Sequence, residues 1–157
     1  MIICGYQGIG KSTLAGKMGC IDLESSNFFT SGGRDEHWYE AYCNIAEHLS
    51  QQGYTVLLSS HACVRNELEK RKHVPAIVVF PAKDLKEQWI AKLELRYLRD
   101  QSEKNYKAWK SAESNFDANI EEVRCGYLPY FELNSMDYIL KNVIQGISAL
   151  WLKGEIL

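Results

Sequence analysis

Eight residues near the amino end, Gly5-Tyr6-Gln7-Gly8-Ile9-Gly10-Lys11-Ser12, leave few folds open to this chain. They fill every fixed position of the pattern GxxxxGK[ST], between an apolar run (Met1 to Cys4) and a helical run from Lys11 to Met18. A strand before the loop and a helix after it are the context this pattern needs. Gly5, Gly8 and Gly10 let backbone N–H groups close around phosphate oxygens where side chains would obstruct them. A helix opening near Lys11 adds the positive end of its dipole. Lys11 is then placed for β- and γ-phosphates and the Ser12 hydroxyl for Mg²⁺, with Ile9 and Thr13 completing the cradle. The implied ligand is a nucleoside triphosphate. What is done with it is not implied.

Short apolar runs recur after this loop and alternate with helical patterns. Cys20–Leu23, Thr55–Leu58, Ala76–Phe80 and Tyr130–Leu133 read as strands. Between them, 35–52 reads as a helix with Trp38, Tyr42, Ile45 and Leu49 on one face, closed by Gly53. His61–Lys72 reads as another. The polar stretch 83–122 reads as two helices broken at Gln101-Ser102, and Met136–Leu152 as a final amphipathic helix. Such alternation predicts an α/β fold with a parallel sheet between two layers of helices. No repeat or linker divides the 157 residues, so 1–157 reads as one domain.

Composition narrows the function classes. Four Trp, nine Tyr and five Phe supply ample core material, which argues against intrinsic disorder. No apolar stretch approaches the roughly 20 residues of a membrane span. Met1 runs into the glycine loop without a basic leader, so a cytoplasmic protein is expected. The formal charge is −2, which gives no footprint for duplex DNA but leaves small anionic ligands open. Five scattered cysteines without a CxxC pair read as reduced thiols, with Cys4 and Cys20 acting as small hydrophobes. The face ending in Trp151 and Leu152 would suit a homodimer.

Two common classes of triphosphate-binding protein lack their marks here. No NKxD tetrapeptide is present, and the strand 55–58 runs into Ser59-Ser60-His61 instead of an acidic pair. An acidic residue stands instead at the end of the second strand, in Ile21-Asp22-Leu23-Glu24-Ser25-Ser26, where it would face the crevice beside the glycine loop.

With Gly5 to Thr13, this Asp22 segment, Ser59-Ser60-His61 with Val64-Arg65, and a helix bearing Arg96 and Arg99, the chain resembles the P-loop nucleoside and nucleotide kinases. That group includes adenylate, thymidylate, gluconate and shikimate kinases. The resemblance is nearest to the short deoxynucleotide-kinase-like proteins of bacteriophages. It implies a five-stranded parallel core in the order 2-3-1-4-5, an acceptor-binding segment after strand two and an arginine-bearing lid at about 83–122. It also implies ATP as donor, Mg²⁺, and a (deoxy)nucleoside monophosphate as acceptor. Transfer to a modified base in phage DNA, and ATP hydrolysis without an acceptor, stay open beside it.

Lys92, Arg96 and Arg99 fall on one helical stripe, and the resemblance assigns the two arginines to clamping the migrating phosphoryl group beside Lys11. The other reading is a solvated face paired with Glu94, Asp100 and Glu103. Asp22 reads as a magnesium-linked or catalytic carboxylate, sharing the metal with Ser12, or as the cap of a turn. Ser26, Arg34, His61 and Arg65 are candidate acceptor contacts, Arg34 in a glycine-rich loop that orders on binding. Arg124 is a further candidate clamp. Trp38, Tyr39 and Tyr42 are read chiefly as core residues, one or two of them free to stack on a base.

Overall fold

The computed structural model describes residues 1–137 and 140–152. Five strands make one parallel sheet: β1 (Ile2–Gly5), β2 (Cys20–Asp22), β5 (Thr55–Ser59), β6 (Ala76–Pro81) and β7 (Tyr130–Leu133). β3 (Phe29–Thr30) and β4 (Gly33–Arg34) pair antiparallel as a separate hairpin. Parallel strands are covered on both faces, which explains why these read as apolar runs and not as alternating ones. Ile2, Ile3 and Cys4 of β1, and Val56, Leu57 and Leu58 of β5, are completely buried.

The spatial order is β2-β5-β1-β6-β7, which differs from the expected 2-3-1-4-5. The hairpin accounts for the difference. Its two short strands, not anticipated from the sequence, stand between β2 and β5 in the chain and shift the number of every later strand. From β1 the chain steps outward to β2, and every later step runs the opposite way. Right-handed crossovers therefore put α1 (Lys11–Leu14) on one face, and α2 (Trp38–Gln51), α3 (Ala62–Lys70) and the pair α4 (Lys86–Asp100) and α5 (Glu103–Arg124) on the other. α6 (Leu140–Leu152) adds Leu140, Val143 and Ile144 to the core.

Several elements differ from the sequence reading. α1 is a single turn and ends at Leu14, short of Met18, because the chain passes through positive φ at Gly16, Met18 and Gly19. One turn carries little dipole. α2 begins at Trp38 and buries Trp38, Tyr42, Cys43 and Ala46, whereas Ile45 faces solvent. The two helices expected in 83–122 are α4 and α5, but α5 is far more than a cover. Its Ala112, Phe116, Ile120 and Val123 lie in the main core, with Phe116 edge-on to Tyr6.

Tyr138 and Ile139, within the expected last helix, lie outside the described residues, as do the side chains of Trp151 and Leu152 on which the dimer expectation rests. Among the described residues no helix is long and apolar enough to cross a membrane. The five cysteines are free thiols, and Cys4, Cys20 and Cys43 are buried.

Candidate active site

The carboxyl ends of β1, β2 and β5 converge on one edge of the sheet, where open α/β sheets bind their ligands. A cleft of about 1630 Å³ opens there, floored by the loop from Gly5 to Leu14 and walled on one side by α4 and α5. The loop takes its shape from backbone that disfavours side chains: φ is +80° at Gly8 and +102° at Gly10. Ile9 sits inside this loop. Its side chain is buried in the core and its N–H donates to the Tyr6 carbonyl at 3.2 Å.

Lys11 folds back over this loop. Its Nζ donates to the Gly5 carbonyl at 2.8 Å and reaches the Tyr6 carbonyl at 3.5 Å. Burial pulls the ammonium down to about 8, against the opposing pull of Asp22 and Glu24. A cation held this way, with only carbonyls as direct partners, gains from an arriving anion.

The Ser12 hydroxyl donates to Asp22 Oδ2 at 3.0 Å, so the two residues read as magnesium-linked are in contact. Burial raises the Asp22 carboxyl above its ordinary range, which the Ser12 bond and the Lys11 charge partly oppose. Both are hard oxygen donors of the kind Mg²⁺ accepts, and the described residues hold no cluster of three or more His, Cys, Asp or Glu side chains suited to a metal. Ser12 and Asp22 are the residues that would hold a magnesium ion here. At the end of β5, where an acidic residue is missing, Ser59 Oγ instead donates to Ser25 Oγ at 3.3 Å.

The residues read as acceptor contacts are tied into the fold more closely than the sequence implied. Arg34 stands on β4, not in a loose loop, with its guanidinium 4.0 Å from the ring centres of both Phe29 and Trp38. Its Nη2 donates to the Ser25 carbonyl at 2.8 Å, while its buried Nε has no partner. Ser26 is exposed on the cleft wall. His61 precedes α3 as its N-cap, with Nε2 3.5 Å from Ser25 Oγ and its ring edge-on to Trp38. Desolvation, then the charges of Arg34, Lys11 and Arg65, hold its pKa below the ordinary value, so it is neutral near pH 7.

Arg65 lies on α3. It reaches the cleft, but its guanidinium is buried and already engaged, donating to the Ser60 carbonyl and to Glu122 Oε1 at 2.8 Å. Burying a guanidinium demands such partners, so its first task is to join α3 to α5. Arg124 is tied to Glu132 on β7 at 2.7 Å and does not line the cleft. Trp38 and Tyr42 are core residues. Tyr42 also ties two strand ends together, donating to the Leu23 carbonyl at 2.5 Å and accepting from the Ser59 N–H at 3.1 Å.

Arg96 and Arg99 line the cleft from α4, exposed, and have no hydrogen bond or ion pair with any described residue. The pairing with Glu94, Asp100 and Glu103 that would make them a solvated salt-bridged face is not formed. Asp100 instead accepts from the Ser102 N–H and from Asn105 Nδ2, and Glu103 pairs with Lys107. Lys92 lies over the Trp89 ring at 4.3 Å.

No family model and no curated protein matches this chain. Among solved structures, a crystal structure of shikimate kinase from Bacteroides thetaiotaomicron superimposes with a TM-score of 0.52 at 12% sequence identity. The match covers 99% of this chain and 97% of that one. The chain shares the fold of that shikimate kinase. At this identity the likeness speaks for the fold, and neither for a substrate nor for a particular tie to bacteriophage proteins.

Within this fold, two features of the site had no accessible signal in the sequence. Trp89 Nε1 donates to the Gln7 carbonyl at 2.9 Å, which fastens α4 to the phosphate loop. Its apolar stripe was legible, but the partner 82 residues away was not. Lys104 on α5 pairs with Glu24 after β2 across the cleft at 2.6 Å, a contact between segments that no local pattern connects.

Proposed function

We propose that this chain is an ATP- and Mg²⁺-dependent phosphotransferase whose acceptor is a (deoxy)nucleoside monophosphate. The observation that carries the reading is the pair Arg96 and Arg99, two exposed cations without carboxylate partners in the same cleft as Lys11 and the Ser12–Asp22 contact. A solvated basic face gains by pairing locally, whereas a phosphate clamp needs its cations unspent. The tightly placed Arg34, on the acceptor side, supports an anionic acceptor in the same way.

On this reading the loop amides and Lys11 hold the β- and γ-phosphates. An acceptor phosphate oxygen attacks the γ-phosphorus, the bond from that phosphorus to the β–γ bridging oxygen breaks, and the diphosphate leaves with that electron pair. A magnesium ion held by Ser12 with Asp22 would supply charge neutralisation for the transfer. Arg96 and Arg99 stabilise the charge spread over the transferring group, and Arg34 with Ser26 orients the acceptor. His61, neutral and turned to Ser25, positions the acceptor wall. A base is little needed, because the transition state is loose and positioning dominates.

Labelled ATP incubated with a panel of ribo- and deoxynucleoside monophosphates tests this. Diphosphate formation that depends on one acceptor, and is lost in a folded Lys11→Ala variant, is the expected result. ATP consumption at one rate whatever the acceptor, or undiminished transfer by Lys11→Ala, overturns it.

A further inference from the structure

Glu24 and Lys104 are 80 residues apart, yet Oε1 and Nζ approach to 2.6 Å across the cleft. Glu24 follows β2 two residues after Asp22. Lys104 rides in the first turn of α5, and that turn is firmly built. Ser102 Oγ accepts from the Asn105 N–H at 3.3 Å, and Asp100 accepts from Asn105 Nδ2 at 2.7 Å. The place of Lys104 on the wall is therefore set, while its long side chain is not: the Lys104 and Glu24 side chains are 57% and 32% exposed. An ion pair this wet contributes little to stability and is readily exchanged.

The pair also lies within electrostatic reach of the phosphate loop. The Lys104 charge pulls the Asp22 carboxyl down and disfavours the Lys11 ammonium, and Glu24 acts on both in the opposite sense. The other cations on this wall are disposed differently, since Lys107 pairs within its own helix and Arg96 and Arg99 are unpaired. Lys104 is held by a carboxylate from the opposite wall.

We propose that Lys104 is an anion-binding residue of the phosphate site, stored on Glu24 in the ligand-free chain and passed to phosphate oxygens when the triphosphate enters. This rests on the reading of the glycine loop as a triphosphate site. The exchange replaces one carboxylate by a more highly charged acceptor, and charge-assisted bonds to phosphate are the stronger kind. Glu24 thus competes with the ligand for Lys104. Removing the competitor and removing the cation must then act in opposite directions, which a purely structural tether would not do.

Calorimetric titration with a non-hydrolysable ATP analogue and Mg²⁺ tests this on the wild-type chain and on Glu24→Gln, Lys104→Gln and the double variant. Glu24→Gln is expected to tighten binding roughly two- to five-fold, the worth of an exposed ion pair no longer broken. Lys104→Gln is expected to weaken it about ten-fold, as loss of a charged hydrogen bond does. The double variant should match Lys104→Gln, and Lys104→Arg should restore binding. Shifts of the same sign in both single variants, or an equal gain from Glu24→Gln whether or not Lys104 is present, overturn the proposal. Absence of any binding by the wild-type chain refutes the triphosphate reading itself, and is distinguishable from the other outcomes for that reason.

Discussion

Replacing Gly8 by alanine probes how tightly the phosphate loop is locked to the helix above it. A Cβ at this position would lie 2.8 Å from Leu93 Cδ2 and 3.3 Å from Trp89 Nε1, while φ stays at +80°. The left-handed backbone alone costs an alanine about 1–2 kcal/mol. Leu93 and Trp89 are 1% and 2% exposed, so neither has room to retreat, and overpacking adds about 1–3 kcal/mol. Gly8→Ala is thus expected to destabilise by about 2–5 kcal/mol. Gly10→Ala is the internal control. Its φ is +102° but nothing lies within 4 Å of the new methyl, so only the backbone cost of about 1–2 kcal/mol applies. Urea unfolding of both variants, each also made in a Leu93→Ala background, separates the two contributions. With Leu93 shortened, the cost of Gly8→Ala should fall toward that of Gly10→Ala, because the 2.8 Å clash is gone and only the 3.3 Å approach to Trp89 Nε1 is left. Equal costs for the two glycines in the wild-type background, or no coupling to Leu93, would refute the claim that α4 clamps the loop.

Three further outcomes are expected. Arg96→Ala and Arg99→Ala should each lower kcat on the order of 10²- to 10³-fold with unfolding free energies within about 0.5 kcal/mol of wild type, checked by steady-state kinetics and denaturation. Asp22→Asn should raise the Mg²⁺ concentration for half-maximal activity by about 10- to 100-fold, as loss of a partner beside a metal does, read from a magnesium titration. The Lys11 ammonium titrates at about 8 in the free chain, so triphosphate affinity should fall as pH rises through that value, with proton uptake on binding, and Lys11→Met should flatten the profile. For the free chain the sign reverses. Between about 8 and the ordinary 10.5 the unfolded state binds more protons at this lysine, so the group's contribution to stability rises with pH over that window.

Residues carrying their own local signal were the legible ones. The glycines, Lys11 and Ser12 are recognisable because a loop that wraps phosphate tolerates few alternatives, and the apolar runs of β1, β5 and β6 because a parallel sheet is buried on both faces. Asp22 was readable from its position at a strand end. By contrast Arg65 and Arg124 looked as available as Arg96 and Arg99. A guanidinium's partner is set by what packs against it, and Glu122 and Glu132 lie on later elements whose placement the local pattern does not specify. Arg34 was expected on a loop that orders with its substrate. Its ordering instead comes from Phe29 and Trp38, two rings that a two-strand hairpin and the start of α2 bring to either side.

The sequence by itself thus determined an α/β chain with a parallel sheet and a glycine-rich turn at the end of its first strand, because hydrophobic period and glycine placement are local properties. Which cations remain free for a ligand was decided only by the tertiary structure. In the ligand-free chain, nearby carboxylates take some cations and leave Arg96 and Arg99 without an ion pair among the described residues. That matching runs across the cleft, from Glu24 to Lys104 and from Glu122 to Arg65, between segments that only folding brings together.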